Sequence, residues 1–244
     1  FSYDITDNGT TAGAADPRTV AGSASLVVTE VNDAPTTAPV DLGTRAEDAG
    51  AFTFDAAQLL ASASDLENHI LSVSNVVVSA GVVVDNGDGT WTWTPVADWN
   101  GTVGFSYDIT DNGTTAGAAD PRTVAGSASL VVTEVNDAPT VAPVNLGTRA
   151  EDAGAFTFTA AQLLVNAGDL ESHSLSVSNV VASAGIVADN GNGTWTWTPA
   201  ADWNGTVSFS YDITDNGTTA GAADPRTVAG SASLVVTEVN DAPT

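Results

Sequence analysis

Oxygen donors are the one kind of reactive group this chain holds in quantity, and they are grouped. Glu134, Asn136 and Asp137 fall within four consecutive residues, and Glu30, Asn32 and Asp33 form the same run earlier in the chain. Shorter pairs stand at Glu47-Asp48, Asp65-x-Glu67 and Asp98-x-Asn100, with Asp111 alone. Carboxylates, amide oxygens and backbone carbonyls are what calcium takes, roughly six to eight at a time in flexible geometry. Without a cation, two carboxylates about 5 Å apart repel by roughly 3 kcal/mol at an effective dielectric of about 20. Several at one place therefore call for a counter-ion. Other chemistries lack their residues. There is no cysteine and no lysine, and no nucleophile stands beside a base, so catalysis is not expected. His69 and His173 are the only histidines, which leaves a zinc or copper site poorly supported. Each reads as a surface or packing residue.

These groups are positioned by a repeat. Phe1–Thr36 recurs unchanged as Phe105–Thr140 and Phe209–Thr244, and Thr37–Gly104 recurs as Val141–Ser208 with 14 substitutions. A fixed period of 104 residues means an array of like modules, and a catalytic core is seldom needed twice. Two repeats, residues 37–140 and 141–244, are complete. Residues 1–36 are the C-terminal part of an incomplete repeat, as expected of a piece of a longer array. Phe1–Val31 then supplies two strands whose sheet partners would correspond to Thr37–Gly104. The net charge of −25 disfavours nucleic acid and anionic membrane surfaces and favours divalent cations. No apolar run is long enough to span a bilayer.

Within one repeat, short strands alternate with turn residues. Phe52 and Phe54 share a strand face, and a helical turn is expected over Ala56–Leu60. Ile70–Val78 and Val82–Val84 are β-branched and apolar, broken by Ser79-Ala80-Gly81. Asp85-Asn86-Gly87-Asp88-Gly89 has tight-turn chemistry and leads into Thr90–Thr94, where Trp91 and Trp93 share a face. Val103, Phe105, Tyr107 and Ile109 alternate in the next strand, and Ala128, Leu130 and Val132 in the last. The loop Asn112–Gly126, rich in glycine and alanine, is expected to be exposed. Thr133–Pro143 is the linker candidate. About seven short strands per hundred residues predicts an all-β chain of tandem Greek-key β-sandwiches of immunoglobulin type, arranged end to end.

The ordered motifs EVNDAP, AED, LLASASDLE, NGDGTWTWTPVADWNG and FSYDITDNG resemble the bacterial cadherin-like tandem repeat of giant RTX adhesins. The resemblance covers the whole repeat. It implies calcium, Ca2+, clamped between consecutive sandwiches. At the second junction it assigns Glu134, Asn136 and Asp137 as linker ligands, with Val135 and Ala138 offering backbone carbonyls. Glu47, Asp98 and Asn100 are the implied ligands from the upstream repeat, and Asp169, Glu171 and Asp215 those from the downstream one. At the first junction Glu30, Asn32 and Asp33 would meet Asp65, Glu67 and Asp111. Two departures lower ligand charge or alter its reach: the linker opens with Glu rather than Asp, and Asn100 stands where the family has Glu. The role implied is that of an extracellular extender on a bacterial surface, monomeric, whose partners are calcium and neighbouring repeats.

Scattered acids read as a solubilising surface. Asp41, Asp55 and Asp88 become Asn145, Thr159 and Asn192 in the second copy, so they are dispensable. Trp91, Trp93 and Trp99 could stack sugars but suit a sandwich core better. Two rival roles remain: multivalent binding of glycan or ice through tryptophan or threonine rows, and accessory repeats on a large secreted hydrolase.

Overall fold

Alternation along the strands decides what enters the core of each repeat. The computed structural model describes residues 1–241, so the last three residues of the 141–244 repeat lie outside the described residues. Along Gly101–Thr110 the side chains of Val103, Phe105, Tyr107 and Ile109 are buried, while those between them turn toward solvent. Along Thr123–Thr133 the same holds for Ala128, Leu130 and Val132. These two strands pair antiparallel over their full common length, from Gly101 opposite Val132 to Thr110 opposite Thr123.

That pair is the centre of a four-stranded sheet. Ser72–Val78 adds antiparallel to Gly101–Thr110, and Val40–Ala46 adds parallel to Thr123–Thr133. A second sheet orders Phe52–Asp55, Thr90–Thr94 and Val82–Asp85, all antiparallel. Seven strands in two sheets give the expected sandwich. Its faces meet through aromatic edges: Phe105 of the first sheet lies 5.2 Å from Phe54 and 6.3 Å from Trp93 of the second, both edge-on. Trp91 and Trp93 are therefore core residues, as their shared face predicted, and Trp99 packs partly buried against the same cluster. The second repeat reproduces this arrangement with Val144–Ala150, Phe156–Thr159, Ser176–Ala182, Ile186–Asp189, Thr194–Thr198, Gly205–Thr214 and Thr227–Thr237.

Local chemistry fixes the corners. The expected helical turn forms at Ala56–Leu59. Asp55 caps it by accepting from the Gln58 N–H while the Gln58 side chain accepts from the Asp55 N–H. The Tyr107 hydroxyl donates to Leu59 O at 2.8 Å and ties this turn to the central sheet. Trp93 Nε1 donates to Ala80 O at 2.8 Å and closes the Ser79–Gly81 turn, where Gly81 has φ +79°.

The N-terminal segment shows what the sheet partners supply. Ser2–Thr6 and Thr19–Ser23 pair antiparallel, as their counterparts do. Yet Tyr3 and Ile5 are 49% and 54% exposed, whereas the identical Tyr107 and Ile109 are 2% and 0% exposed. Same residues, same hairpin, different burial: the residues of Thr37–Gly104 and their copy make the core.

Candidate metal centre

The linker is held from both sides, and one asparagine holds it most firmly. Asn136 is 3% exposed. Its Nδ2 donates to Asp215 Oδ1 at 2.9 Å and to Asp224 O at 2.8 Å, both in the downstream sandwich. Its backbone N–H donates to Thr219 Oγ1 at 2.9 Å, and the Ala220 N–H donates back to Glu134 O at 3.0 Å. Gly217 lies directly against this amide, and a Cβ there would overlap Asn136 Oδ1. From the upstream side Glu47, 6% exposed, accepts the Val135 N–H at 2.7 Å through Oε1. Asn100 Nδ2 steadies the other Glu47 oxygen at 3.4 Å.

Asn100, expected as a ligand from a strand end, thus contacts the linker through Glu47. The loop Asn112–Gly126 is mostly exposed, as expected. It carries the small hairpin Thr114–Thr115 with Ala118–Ala119, and it is the wall on which the preceding linker rests. Asn32 donates to Asp111 Oδ1 at 3.0 Å and to Asp120 O at 2.7 Å, and its N–H reaches Thr115 Oγ1 at 3.0 Å. Sequence reasoning missed Gly113, Thr115 and Asp120 and their copies Gly217, Thr219 and Asp224. The legible signal was the invariance of that loop across all three copies.

Around these clamps the acidic residues converge. Asp65, Glu67 and His69 place ligand atoms within 4.8 Å of one another, as do Asp169, Glu171 and His173. Asp33 borders Asp65 in one cleft with Thr36 and Ser64. At the C-terminal end of the second repeat, Asp152, Asp202 and Asp241 form a third such group, exposed, with Glu151 accepting the Val239 N–H at 2.7 Å. These are the copies of Asp48, Asp98, Asp137 and Glu47, so Asp48 joins the candidates as a residue the sequence reading left outside the ligand set. Asp98 itself occupies a left-handed turn at φ +54°.

The donor chemistry fits a hard cation. Asn32 Oδ1, Asp65 Oδ2, Glu67 Oε2 and Asp111 Oδ2 are buried without a hydrogen-bond donor, and so are Asn136 Oδ1, Asp169 Oδ2 and Glu171 Oε2. Buried oxygens of this kind are costly unless something positive satisfies them. Asp215 nonetheless holds its charge easily. Burial works to raise its pKa, but N–H donation from Gly217 and Arg226, the Asn136 amide and the nearby His173 together lower it. Asp111 shows the same balance with Gly113, Arg122, Asn32 and His69. Glu171 goes the other way: burial, with the charges of Asp137 and Asp169, raises it. Asp241 is raised by Asp152 and Asp202.

The model of the cadherin-like domain matches residues 31–125 and again 135–229. The chain belongs to the cadherin-like domain family. Among solved structures, it is similar to human protocadherin-24 extracellular domains 1–2 at 13% identity and TM-score 0.52, covering 85% of this chain and 100% of that one. It is similar to Drosophila N-cadherin extracellular domains 1–4 at 13% identity and TM-score 0.52, covering 98% of this chain and 58% of that one. An endo-fucoidan hydrolase of glycoside hydrolase family 107 aligns at 16% identity with a TM-score of 0.31 over 98% of this chain. The chain spans 34% of that hydrolase's length. No curated protein matches it. The likeness to the cadherin structures is one of fold.

In this cadherin-like chain the clamp makes two expectations. Gly217→Ala should drive the Asn136 amide from its seat, costing about 1–3 kcal/mol as an overpacked contact. Hydrogen exchange at the Val135 and Asn136 amides should then speed up while the core strands keep their protection. The second concerns pH in excess chelator. A raised Glu171 adds stability that is present below its ordinary 4.5 and lost as pH rises through the raised value. The lowered Asp215 adds stability that is present above 3.8 and lost as pH falls through the lowered value. Melting temperature against pH should therefore peak around pH 4 without cations, and added calcium should move the optimum upward.

Proposed function

We propose that this chain is a calcium-rigidified extender segment of a bacterial cell-surface adhesin of the RTX class, spacing a distal binding domain from the cell. The observation that carries the reading is the gathering of donor-free buried oxygens at one place, where linker and downstream sandwich meet. The repeat unit is taken as residues 37–140 and 141–244. The bacterial and RTX part rests on the resemblance of the ordered motifs, and the extracellular setting on the family.

Each junction has two halves. Glu47, Asp48 and Asp98 face the linker from the upstream repeat, and Asp169, Glu171 and Asp215 from the downstream one, with Glu134, Asn136 and Asp137 between. At the first junction the corresponding set is Glu30, Asn32, Asp33, Asp65, Glu67 and Asp111. Calcium, when bound, supplies the positive charge that these carboxylates lack. The chain's own residues do the positioning: Asn136 fixes the linker on the downstream loop, and Glu47 fixes it on the upstream sandwich. Without the cation, burial of the Glu171 carboxylate and the charges of Asp137 and Asp169 beside it act against that docking.

The reading needs no catalytic group. The burial of Trp91 and Trp93 removes two of the three tryptophans from any sugar platform, which favours a spacer over a glycan binder.

The test is calcium calorimetry and melting on the chain and on D169N/E171Q. Extracellular calcium modules bind at about 10⁻⁴–10⁻³ M. At free calcium about 100 times that constant, each ion adds about 2.7 kcal/mol of stability. The double variant should lose calcium binding at the second junction. In chelator it should melt at or above the parent, because the charged Glu171 is gone. An unchanged calcium response would reject these two residues as ligands.

A further inference from the structure

The two histidines occupy neither the surface nor the core. His69 and His173 close the acidic groups at the downstream half of each junction, with side chains only 18% and 19% exposed. His173 Nδ1 lies 3.3 Å from Asp169 Oδ1 and 3.8 Å from Glu171 Oε2, and His69 Nδ1 lies 3.3 Å from Asp65 Oδ1. Both Nδ1 atoms are buried and have no hydrogen-bond partner. The opposite ring nitrogens face the linker: Nε2 lies 3.6 Å from Glu30 Oε1 in one site and 3.7 Å from Glu134 Oε1 in the other.

We infer that each of these clusters is a mixed nitrogen–oxygen site for a borderline transition-metal dication of the zinc class, with His69 Nδ1 or His173 Nδ1 as the nitrogen ligand. Three observations point there. Two ligands bound at about 2.1 Å to one ion in tetrahedral or octahedral geometry sit about 3–3.5 Å apart, which the Nδ1–Oδ1 separations match. Asp65 and Asp169, 1% and 2% exposed, each aim a second buried oxygen without a donor into the same group. Asp111 adds a third element's donor-free Oδ2.

Glu30 and Glu134 lie beside Nε2 of these imidazoles, where a carboxylate steadies the orientation of a metal-bound histidine ring. An imidazole raises preference for zinc-class ions over calcium, since calcium takes oxygen ligands almost throughout. The consequence is that the junction discriminates between cations, and that the two classes compete for Asp169 and Glu171.

The site shares carboxylates with the proposed calcium site but does not need calcium to bind. The test follows the two imidazoles by ¹⁵N NMR on the 244-residue chain while Zn²⁺ is added to chelator-treated protein, with calcium binding measured separately. Both Nδ1 resonances should shift and saturate by about two equivalents. The H69Q/H173Q variant should bind Zn²⁺ at least tenfold more weakly, with calcium affinity changed less than threefold. Unmoved Nδ1 resonances, a shift at Nε2 instead, or equal zinc affinity in the variant would each overturn the inference, whatever calcium does. Loss of calcium binding with intact zinc shifts would overturn the calcium reading and leave this one standing.

Discussion

The buried amide of Asn136 is the contact on which the junction depends. It spends both Nδ2 hydrogens on the downstream sandwich, one on the Asp215 carboxylate and one on a loop carbonyl. Its backbone and that of Glu134 add two more bonds to the same loop. A linker residue thereby becomes part of the next domain. Asn32 does the same at the first junction. The upstream bond, Val135 N–H to Glu47, then links two sandwiches through three residues of backbone.

That docking has an electrostatic consequence. Seating Asn136 brings Asp137 beside Glu171 and Asp169, and burial together with those two charges raises the pKa of Glu171. Asp111 and Asp215 escape it because backbone N–H groups and an amide donate to them. The junction therefore contains both satisfied and unsatisfied carboxylates, side by side. The satisfied ones set the geometry. The unsatisfied ones are buried oxygens without a donor, and a histidine Nδ1 stands beside them in each cluster.

Most of the fold was legible because it follows from period-two alternation, which Gly101–Thr110 and Thr123–Thr133 show plainly. The tight turn after Val82–Asp85 and the helical turn after Phe54 were legible for the same reason, since their chemistry is local. The acidic clusters were legible by composition and order. What stayed hidden depended on contacts across many residues. Nothing near Gly217 in sequence shows that an amide 81 residues earlier will press against it. Asn100 was hidden in the same way: its partner Glu47 lies 53 residues away. Spacing alone did not show that the Nδ1 atoms of His69 and His173 face Asp65 and Asp169.

The account stands on the linker being a joint whose stiffness a cation completes. Small-angle scattering of the 244-residue chain, first with excess calcium and then with excess chelator, tests that most directly. A single elongated particle in calcium, becoming shorter or broadly distributed in chelator, is the expected result. An identical profile in both conditions would contradict it and would mean that the Asn136 and Glu47 contacts alone hold the domains in line.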